Sequence, residues 1–85
     1  MTPSGIVYIV RSMADETKTY IGLTSDLTKR VEAHNSGGSR YTAGDRPWRV
    51  EVAVHFAQAE TAVRFERYLK SGSGRAFVRR HFTLP

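Results

Sequence analysis

The chain has 85 residues, which is enough for one small domain with a modest core, so we expect a single domain over residues 1–85. Its 13 lysines and arginines against 8 acidic residues give a net charge of +5, which favours a polyanionic partner. A basic surface that serves solubility alone is the plainer alternative. The chain has no cysteine, which excludes a disulfide framework and a thiolate zinc site.

The start of the chain and its apolar runs bear on location. Met1–Ser4 contains no basic segment followed by a sufficient apolar stretch, and no apolar run approaches the length that spans a membrane. We therefore expect a soluble, cytoplasmic protein with no membrane partner.

The first half of the chain predicts a β-hairpin followed by a helix. Ile6–Val10 and Thr17–Ile21 are β-branched and aromatic runs typical of strands, and the polar segment Arg11–Glu16 between them predicts the hairpin loop. Gly22 ends the second strand at a place where the backbone must turn or approach another group closely. Good N-capping residues before it and two glycines after it predict a helix over Leu27–Asn35.

Two polar residues stand out on this helix. At about 100° per residue, Arg30 and His34 fall in the same sector as the apolar Leu27 and Val31. We therefore expect both to lie at the edge of the core and to face the sheet. The segment 37–49 that follows is rich in glycine and basic residues, a composition typical of a nucleic-acid contact loop.

The second half predicts one more strand and two more helices. Val50–Phe56 alternates apolar and polar residues, Ala59–Lys70 has helical apolar spacing, Ser71–Gly74 breaks the chain, and Arg75–Phe82 forms a last basic helix. The order strand, strand, helix, strand, helix, helix predicts an α/β fold of the α+β sandwich type. Its sheet would be small, three-stranded and antiparallel or mixed, with helices packed on it.

Glu66 has an unusual position on the second predicted helix. It flanks the apolar stripe three residues before Leu69, and a carboxylate there is costly unless a cation or a donor meets it. A bound metal ion would satisfy it. An ordinary ion pair with Arg64, Arg67 or Lys70 on the same helix would satisfy it as well.

Taken together, these residues resemble the GIY-YIG endonuclease family, in particular its small stand-alone single-domain members and the nuclease domain of excinuclease ABC. The family places one tyrosine on the first strand, a second in a Tyr-Ile-Gly that closes the second strand, an arginine on the first helix and a glutamate on a later helix. In this chain those positions are Tyr8, Tyr20, Arg30 and Glu66. The stand-alone members are also similar at 26–27, 29–30, 34–37, 41–42, 65–66 and 69–70, so the resemblance covers nearly the whole chain.

The chain departs from the family pattern at two places. Gly5-Ile6-Val7-Tyr8 carries one residue more than the first family motif, and the motif is aligned on Tyr8. Leu23 follows the second motif, where some repair-type members carry a lysine, so that cation is absent.

The resemblance implies hydrolysis of phosphodiester bonds, and the residue types suit that chemistry. Glu66 would hold a divalent ion, Mg²⁺ or Mn²⁺, because such ions are commonly bound through one or two carboxylates plus substrate phosphate. Arg30 would stabilise charge at the phosphorus through its planar set of donors. A surface ion pair along the helix is the plainer alternative for Arg30. No small-molecule cofactor is expected.

The tyrosines and the histidine would handle protons. Tyr20 would act as the base or orient the attacking water, and Tyr8 would hold or hydrogen-bond it. His34, one turn beyond Arg30, would share the proton transfer or donate to a phosphate oxygen. Alternatively, both tyrosines are ordinary half-buried packing residues and His34 is a satisfied histidine at the core edge.

Several basic and aromatic residues are candidates for nucleic-acid contacts that position the substrate without reading its sequence. They are Arg40, Tyr41, Arg46, Lys70, Arg75 and Arg79. Tyr41 and Trp48 have aromatic rings that can stack on an exposed base, unless Trp48 fills the core instead.

The resulting expectation is a metal-dependent endonuclease that cuts branched, nicked or single-stranded DNA in repair or recombination, with other DNA-repair proteins as further partners. A catalytically silent DNA- or RNA-binding module of the same fold is the alternative. A protein-interaction adaptor is a third interpretation, which would need an exposed apolar patch.

Overall fold

The computed structural model describes residues 4–82, so residues 1–3 of the N-terminal segment considered above and residues 83–85 lie outside it. Its elements in chain order are β1 (Gly5–Ser12), β2 (Thr19–Thr24), α1 (Leu27–Ser36), a single 3-10 turn (Ala43–Asp45), β3 (Trp48–Phe56), α2 (Ala59–Leu69) and α3 (Gly72–His81). This order confirms the predicted fold class. Within residues 4–82, no helix is long and apolar enough to cross a bilayer.

The three strands form one antiparallel sheet in which β1 is central and the order is β2-β1-β3. The sheet is therefore antiparallel throughout rather than mixed. Tyr8 lies in the middle of β1, opposite Gly22 on β2 and Ala53 on β3. The centre of the sheet is thus the place where the two family motifs meet.

A bulge on β3 distorts the pairing of β1 with β3. Ile9 pairs with Val52 while Val10 pairs with Val50, so Glu51 is the extra residue. Arg11 on β1 donates from Nε and from a terminal nitrogen to the two carboxylate oxygens of Glu51, each at 2.9 Å. This bidentate ion pair holds the bulged part of β3 against β1.

Both faces of the sheet are covered. Because side chains alternate along a strand, β1 contributes to two separate apolar clusters. The buried members are Tyr8, Val10 and Trp48 in one cluster and Val7, Ala62 and Leu69 in the other. Leu27 and Val31 of α1 pack on the first cluster, and Phe65 of α2 and Phe77 of α3 pack on the second. The sheet therefore lies between α1 on one side and the α2–α3 pair on the other.

The predicted limits of α1 are confirmed to within one residue. Asp26 caps its N-terminus, accepting from the backbone N–H of Lys29 at 3.1 Å. Gly37 ends it in the left-handed region with φ of 83°, a conformation that favours glycine.

The last helix begins three residues earlier than predicted, so the expected break at Ser71–Gly74 is confined to Ser71. Ser71 is the N-cap, and its hydroxyl oxygen accepts from the backbone N–H of Gly74 at 3.1 Å. A Cβ on Gly74 would overlap the backbone carbonyl of Tyr68. Glycine is needed here because α3 turns back closely against the end of α2.

The edges of the strands also differ from the prediction. β2 begins at Thr19, two residues late, because the backbone N–H groups of Thr17 and Lys18 bond to Asp15 and form a turn. β3 begins at Trp48, two residues early.

The expectation that Gly22 ends the second strand is wrong. β2 continues to Thr24, because Leu23 and Thr24 still pair with β1.

Candidate active site

The site is centred on the hydroxyl of Tyr8, whose side chain is fully buried at 0% exposure. This hydroxyl lies 2.8 Å from Nε2 of His34 and accepts a hydrogen bond from Nε of Arg30 at 3.2 Å. Arg30 and His34 are one turn apart on α1, as the helical spacing predicted. The fold thus brings three of the predicted site residues into one hydrogen-bonded cluster.

The hydrogen bonds continue beyond His34 into the loop after α1. Nδ1 of His34 lies 2.7 Å from the hydroxyl oxygen of Thr42, which donates to the backbone carbonyl of Ser39 at 3.4 Å. Arg30 can only donate and a carbonyl can only accept, so all bonds are made when neutral His34 carries its proton on Nδ1 and accepts the Tyr8 proton on Nε2. We call this series, Arg30–Tyr8–His34–Thr42–Ser39, the buried chain.

Trp48 anchors the loop that carries Thr42. Its indole N–H donates to the backbone carbonyl of Thr42 at 2.8 Å, and the side-chain amide of Asn35 bonds to both the N–H and the carbonyl of Trp48, at 2.6 and 3.0 Å. Trp48 is only 4% exposed. Its interpretation as a base-stacking residue is therefore wrong, and the core-filling alternative is correct.

The surroundings of Gly22 explain why the second motif ends in glycine. The Tyr8 ring lies across this residue, and a Cβ there would overlap the ring and hydroxyl of Tyr8. The close approach expected at this glycine is therefore an approach by a side chain of the site itself. Any larger residue would displace the hydroxyl from Arg30 and His34.

Tyr20 occupies a more open position than Tyr8. It is half-buried, with its ring edge-on to His34 at a centroid distance of 5.0 Å and 6.4 Å from the ring of Tyr8. The Arg30 guanidinium interacts with both tyrosines, more strongly with Tyr8 than with Tyr20. These interactions raise the pKa of Arg30. Of the two tyrosines, only Tyr20 is partly exposed to solvent.

The environment keeps the buried groups neutral. Burial raises the pKa of Tyr8 above its usual value of 10.0, and the hydrogen bond from Arg30 acts in the opposite direction without cancelling the effect. Burial and the charge of Arg30 lower the pKa of His34 below 6.5. At neutral pH, Tyr8 therefore keeps its proton and His34 remains uncharged, as the directions of the hydrogen bonds require.

Glu66 lies on α2, and its negative charge adds to the effect of burial, which is the main cause of the raised pKa of Tyr8. Its side chain is 18% exposed, and one carboxylate oxygen lies 2.7 Å from the ammonium of Lys70. The ion pair considered from the sequence is thus present.

The donor set around Glu66 suits a weakly held hard cation. Within residues 4–82, no group of three or more His, Cys, Asp or Glu side chains could hold a metal ion by itself. A divalent ion at Glu66 would take its other ligands from water and substrate phosphate, as Mg²⁺ commonly does.

A groove of about 620 Å³ runs beside the site, between β1–β2 and α3. It is lined by Arg11, Thr17, Thr19, Tyr20, Ile21, Lys70, Arg75, Val78 and Arg79. Three of the predicted nucleic-acid contacts therefore share one concave surface with Tyr20. The other three, Arg40, Tyr41 and Arg46, lie on the loop after α1, where Tyr41 is 85% exposed.

Sequence reasoning missed the roles of Ser39 and Thr42. Both are buried. Thr42 bonds to His34 directly, and the backbone carbonyl of Ser39 accepts from the Thr42 hydroxyl. Thr42 belongs to one of the segments similar to stand-alone family members, which was the available signal. Its contact with His34 depends on the path of an irregular loop, and no periodicity reports that path.

Comparison with known proteins agrees with this geometry. Residues 4–80 match the family model of the GIY-YIG catalytic domain. The structure-specific endonuclease subunit SLX1 of Candida dubliniensis is 39% identical over 71 residues, which is 75% of this chain and 25% of SLX1. This chain therefore spans about a quarter of the length of that relative.

Shorter relatives match over more of their length. The UPF0213 protein YazA of Bacillus subtilis is 36% identical over 70 residues, covering 81% of this chain and 69% of YazA. The solution NMR structure of the UPF0213 protein BH0048 from Bacillus halodurans superimposes with a TM-score of 0.55 at 30% identity, covering 93% of this chain and 86% of BH0048. The match over nearly all of the chain and the shared fold confirm the resemblance seen in the sequence: the chain belongs to the GIY-YIG family of nuclease catalytic domains.

Proposed function

We propose that this protein is a metal-dependent endonuclease that hydrolyses DNA phosphodiester bonds and selects its substrate by structure. The observation that carries the proposal is the placement of Arg30, held by a buried tyrosine on one side and beside a half-exposed tyrosine on the other. A guanidinium fixed in this way is a preorganised donor for a phosphate.

Arg30 and Tyr20 are the residues proposed to touch the reacting group. Arg30 stabilises the charge that develops on the phosphate oxygens, because its planar donors already point in a set direction. Tyr20 orients the attacking water or takes its proton. Both side chains are partly exposed, which this role requires.

Tyr8 and His34 act through Arg30 and are positioning residues. Each is fully buried, so neither meets solvent or substrate directly. Their hydrogen bonds hold the Nε of Arg30 and thereby limit the rotation of its guanidinium. Thr42 fixes the ring of His34 in turn.

Glu66 is the proposed metal ligand. A divalent ion bound there would supply positive charge to the phosphate and to the leaving oxygen. Glu66 lies on α2 and Arg30 on α1, so the two proposed contacts come from different elements.

The groove and the loop after α1 are proposed to hold the DNA. Lys70 and Arg75 lie in the groove, and Arg40 and Tyr41 lie on the loop. Such contacts position a backbone without reading bases. Structure selection is supported by SLX1, which is named a structure-specific endonuclease subunit and matches this chain over part of its length.

A nuclease assay on the full chain tests the proposal. Labelled flap, fork, junction, nicked, single-stranded and plain duplex DNAs are incubated with Mg²⁺ or Mn²⁺, and Glu66→Gln is assayed in parallel. We expect cleavage of at least one branched or single-stranded substrate and loss of that cleavage in the variant. The variant should still bind DNA, because the metal serves the reaction more than ground-state affinity.

The same assay distinguishes the proposed nuclease from the alternative, a catalytically silent binding module with the same fold. The burial of Tyr8 and the Lys70–Glu66 ion pair are the observations that favour this alternative. If the wild-type protein binds these DNAs and cuts none of them with either metal, the silent module is correct. Matching RNA substrates in the panel test the choice of nucleic acid.

A further inference from the structure

We propose that Lys70 holds Glu66 in the substrate-free protein and releases it when a DNA phosphate enters the groove, so that metal binding depends on substrate. This inference rests on the proposed role of Glu66. It adds that DNA releases Glu66 from Lys70 before the metal binds, which the role of Glu66 as a metal ligand does not by itself imply.

The first observation is the ion pair. The Lys70 ammonium lies 2.7 Å from a carboxylate oxygen of Glu66, one helical turn earlier on α2. Glu66 is 18% exposed and Lys70 is 52% exposed. The carboxylate is thus held close to the protein, whereas the lysine is free to change its partner.

The second observation is the location of Lys70. It is the C-cap residue of α2 and lines the groove together with Arg75 and Arg79. A phosphate in this groove would meet the same ammonium that now contacts Glu66. Lysine suits such an exchange, because its charge sits on a flexible stem with rotatable donors.

The third step is electrostatic. A divalent ion on Glu66 and an ammonium 2.7 Å from that carboxylate would repel each other, so the two cations exclude one another. A phosphate removes the conflict by accepting Lys70 and offering its own oxygens to the metal. Binding of DNA and binding of metal then strengthen each other, and the coupling is reciprocal.

Binding of Mn²⁺ measured by electron paramagnetic resonance tests this without any turnover. In the absence of DNA, we expect Lys70→Met to bind Mn²⁺ about threefold to tenfold more tightly than wild type, the scale of an exchanged surface ion pair plus relief of repulsion. Arg64→Met removes the same charge from an exposed position on α2 and should not tighten binding. Lys70→Arg keeps a cation beside Glu66 and should behave as wild type.

A second arm adds DNA. In a Tyr20→Phe background, which suppresses cutting, single-stranded oligothymidylate should tighten Mn²⁺ binding, and this gain should shrink in Lys70→Met. An equal gain with and without Lys70 would overturn the coupling.

The outcomes separate this inference from the proposed function. If Glu66→Gln loses Mn²⁺ while Lys70→Met binds it no better than Arg64→Met, the metal ligand stands and the role of Lys70 is overturned. If Glu66→Gln binds Mn²⁺ as wild type does, both ideas fail together. Stronger Mn²⁺ binding by Lys70→Met in a protein that cuts nothing would support the coupling and reject the nuclease.

Discussion

On the α1 side of the sheet, Tyr8, His34 and Thr42 are buried and hydrogen-bonded. On the α3 side, Lys70, Arg75 and Arg79 line the groove and are exposed. Within residues 4–82, no buried side-chain nitrogen or oxygen lacks a hydrogen-bond partner. Removal of one group from the buried chain leaves its partner unsatisfied, which costs about 1–3 kcal/mol. An exposed cation acts over a longer range, and salt screens it. Single substitutions should therefore have large effects in the buried chain and smaller, salt-dependent effects in the groove.

The largest effect is expected for Arg30→Ala, because Arg30 joins the buried chain to the proposed substrate. Loss of a preorganised donor costs about 3 kcal/mol or more of transition-state stabilisation, which is a hundredfold or greater fall in turnover. Arg30→Lys should restore little, since lysine has no planar set of donors.

Single-turnover cleavage at saturating DNA measures this loss. The control is Lys29→Ala, which removes an exposed neighbouring cation on α1. If Arg30→Ala weakens binding but leaves single-turnover rates unchanged, Arg30 positions DNA and does not serve the chemical step.

The next effect contrasts the two tyrosines. Tyr20→Phe should lower cleavage by about a hundredfold, the scale of general acid–base catalysis, with little change in stability. Tyr8→Phe removes the hydroxyl between Arg30 and His34, so it should lower the free energy of unfolding by about 1–3 kcal/mol and reduce cleavage indirectly.

Denaturant unfolding and cleavage rates, measured on the same preparations, separate these cases. Equal losses of stability in the two variants would show that the half-exposed and the buried tyrosine do not differ as described. Unchanged cleavage in Tyr20→Phe would remove Tyr20 from the reaction.

The contrast between the two regions also shows what the sequence could predict. The alternation from Val50 to Phe56 and the apolar spacing of Ala59–Lys70 are periodic signals, and each element is present with one end within two residues of the prediction and the other end as predicted. Arg30 and His34 were placed correctly on the sheet side of α1 for the same reason. Periodicity predicts which face of a helix a residue occupies, and the face that Arg30 and His34 share is the one that contacts Tyr8.

Other features depend on contacts that periodicity does not report. His34 was expected at the core edge and is fully buried, because Thr42 reaches it from a loop. The segment Ser71–Gly74 is expected to break the chain, yet Gly72 begins the first turn of α3. The close approach to the carbonyl of Tyr68 explains Gly74, whereas a Cβ on Gly72 would meet nothing within 4 Å.

A smaller effect is expected in the groove. Arg75→Ala should lower DNA affinity only severalfold and should reduce the slope of log affinity against log salt by about one unit, since each neutralised phosphate contributes nearly one. Wild-type binding should itself be weak and steeply salt-dependent, with little preference for base sequence. Fluorescence anisotropy across a salt series measures both quantities.

Arg64→Ala, on α2 and outside the lining of the groove, is the matched control. A slope that falls equally in both variants would mean that general charge, and not the groove, attracts DNA. A strong preference for one duplex sequence would contradict selection by structure.

The smallest effect concerns acid and the buried chain. Burial and the charge of Arg30 lower the pKa of His34 in the folded protein, whereas the unfolded chain keeps a value near 6.5. Below pH 6.5 the unfolded state therefore binds more protons, and the free energy of unfolding should decline as the pH falls from 6.5 toward the lowered pKa. Urea unfolding at several pH values measures the slope. His34→Gln should flatten it, while His55→Gln, at an exposed position on β3, should keep it. If His34→Gln retains the wild-type slope, protonation of the buried chain does not set the acid limit of the fold.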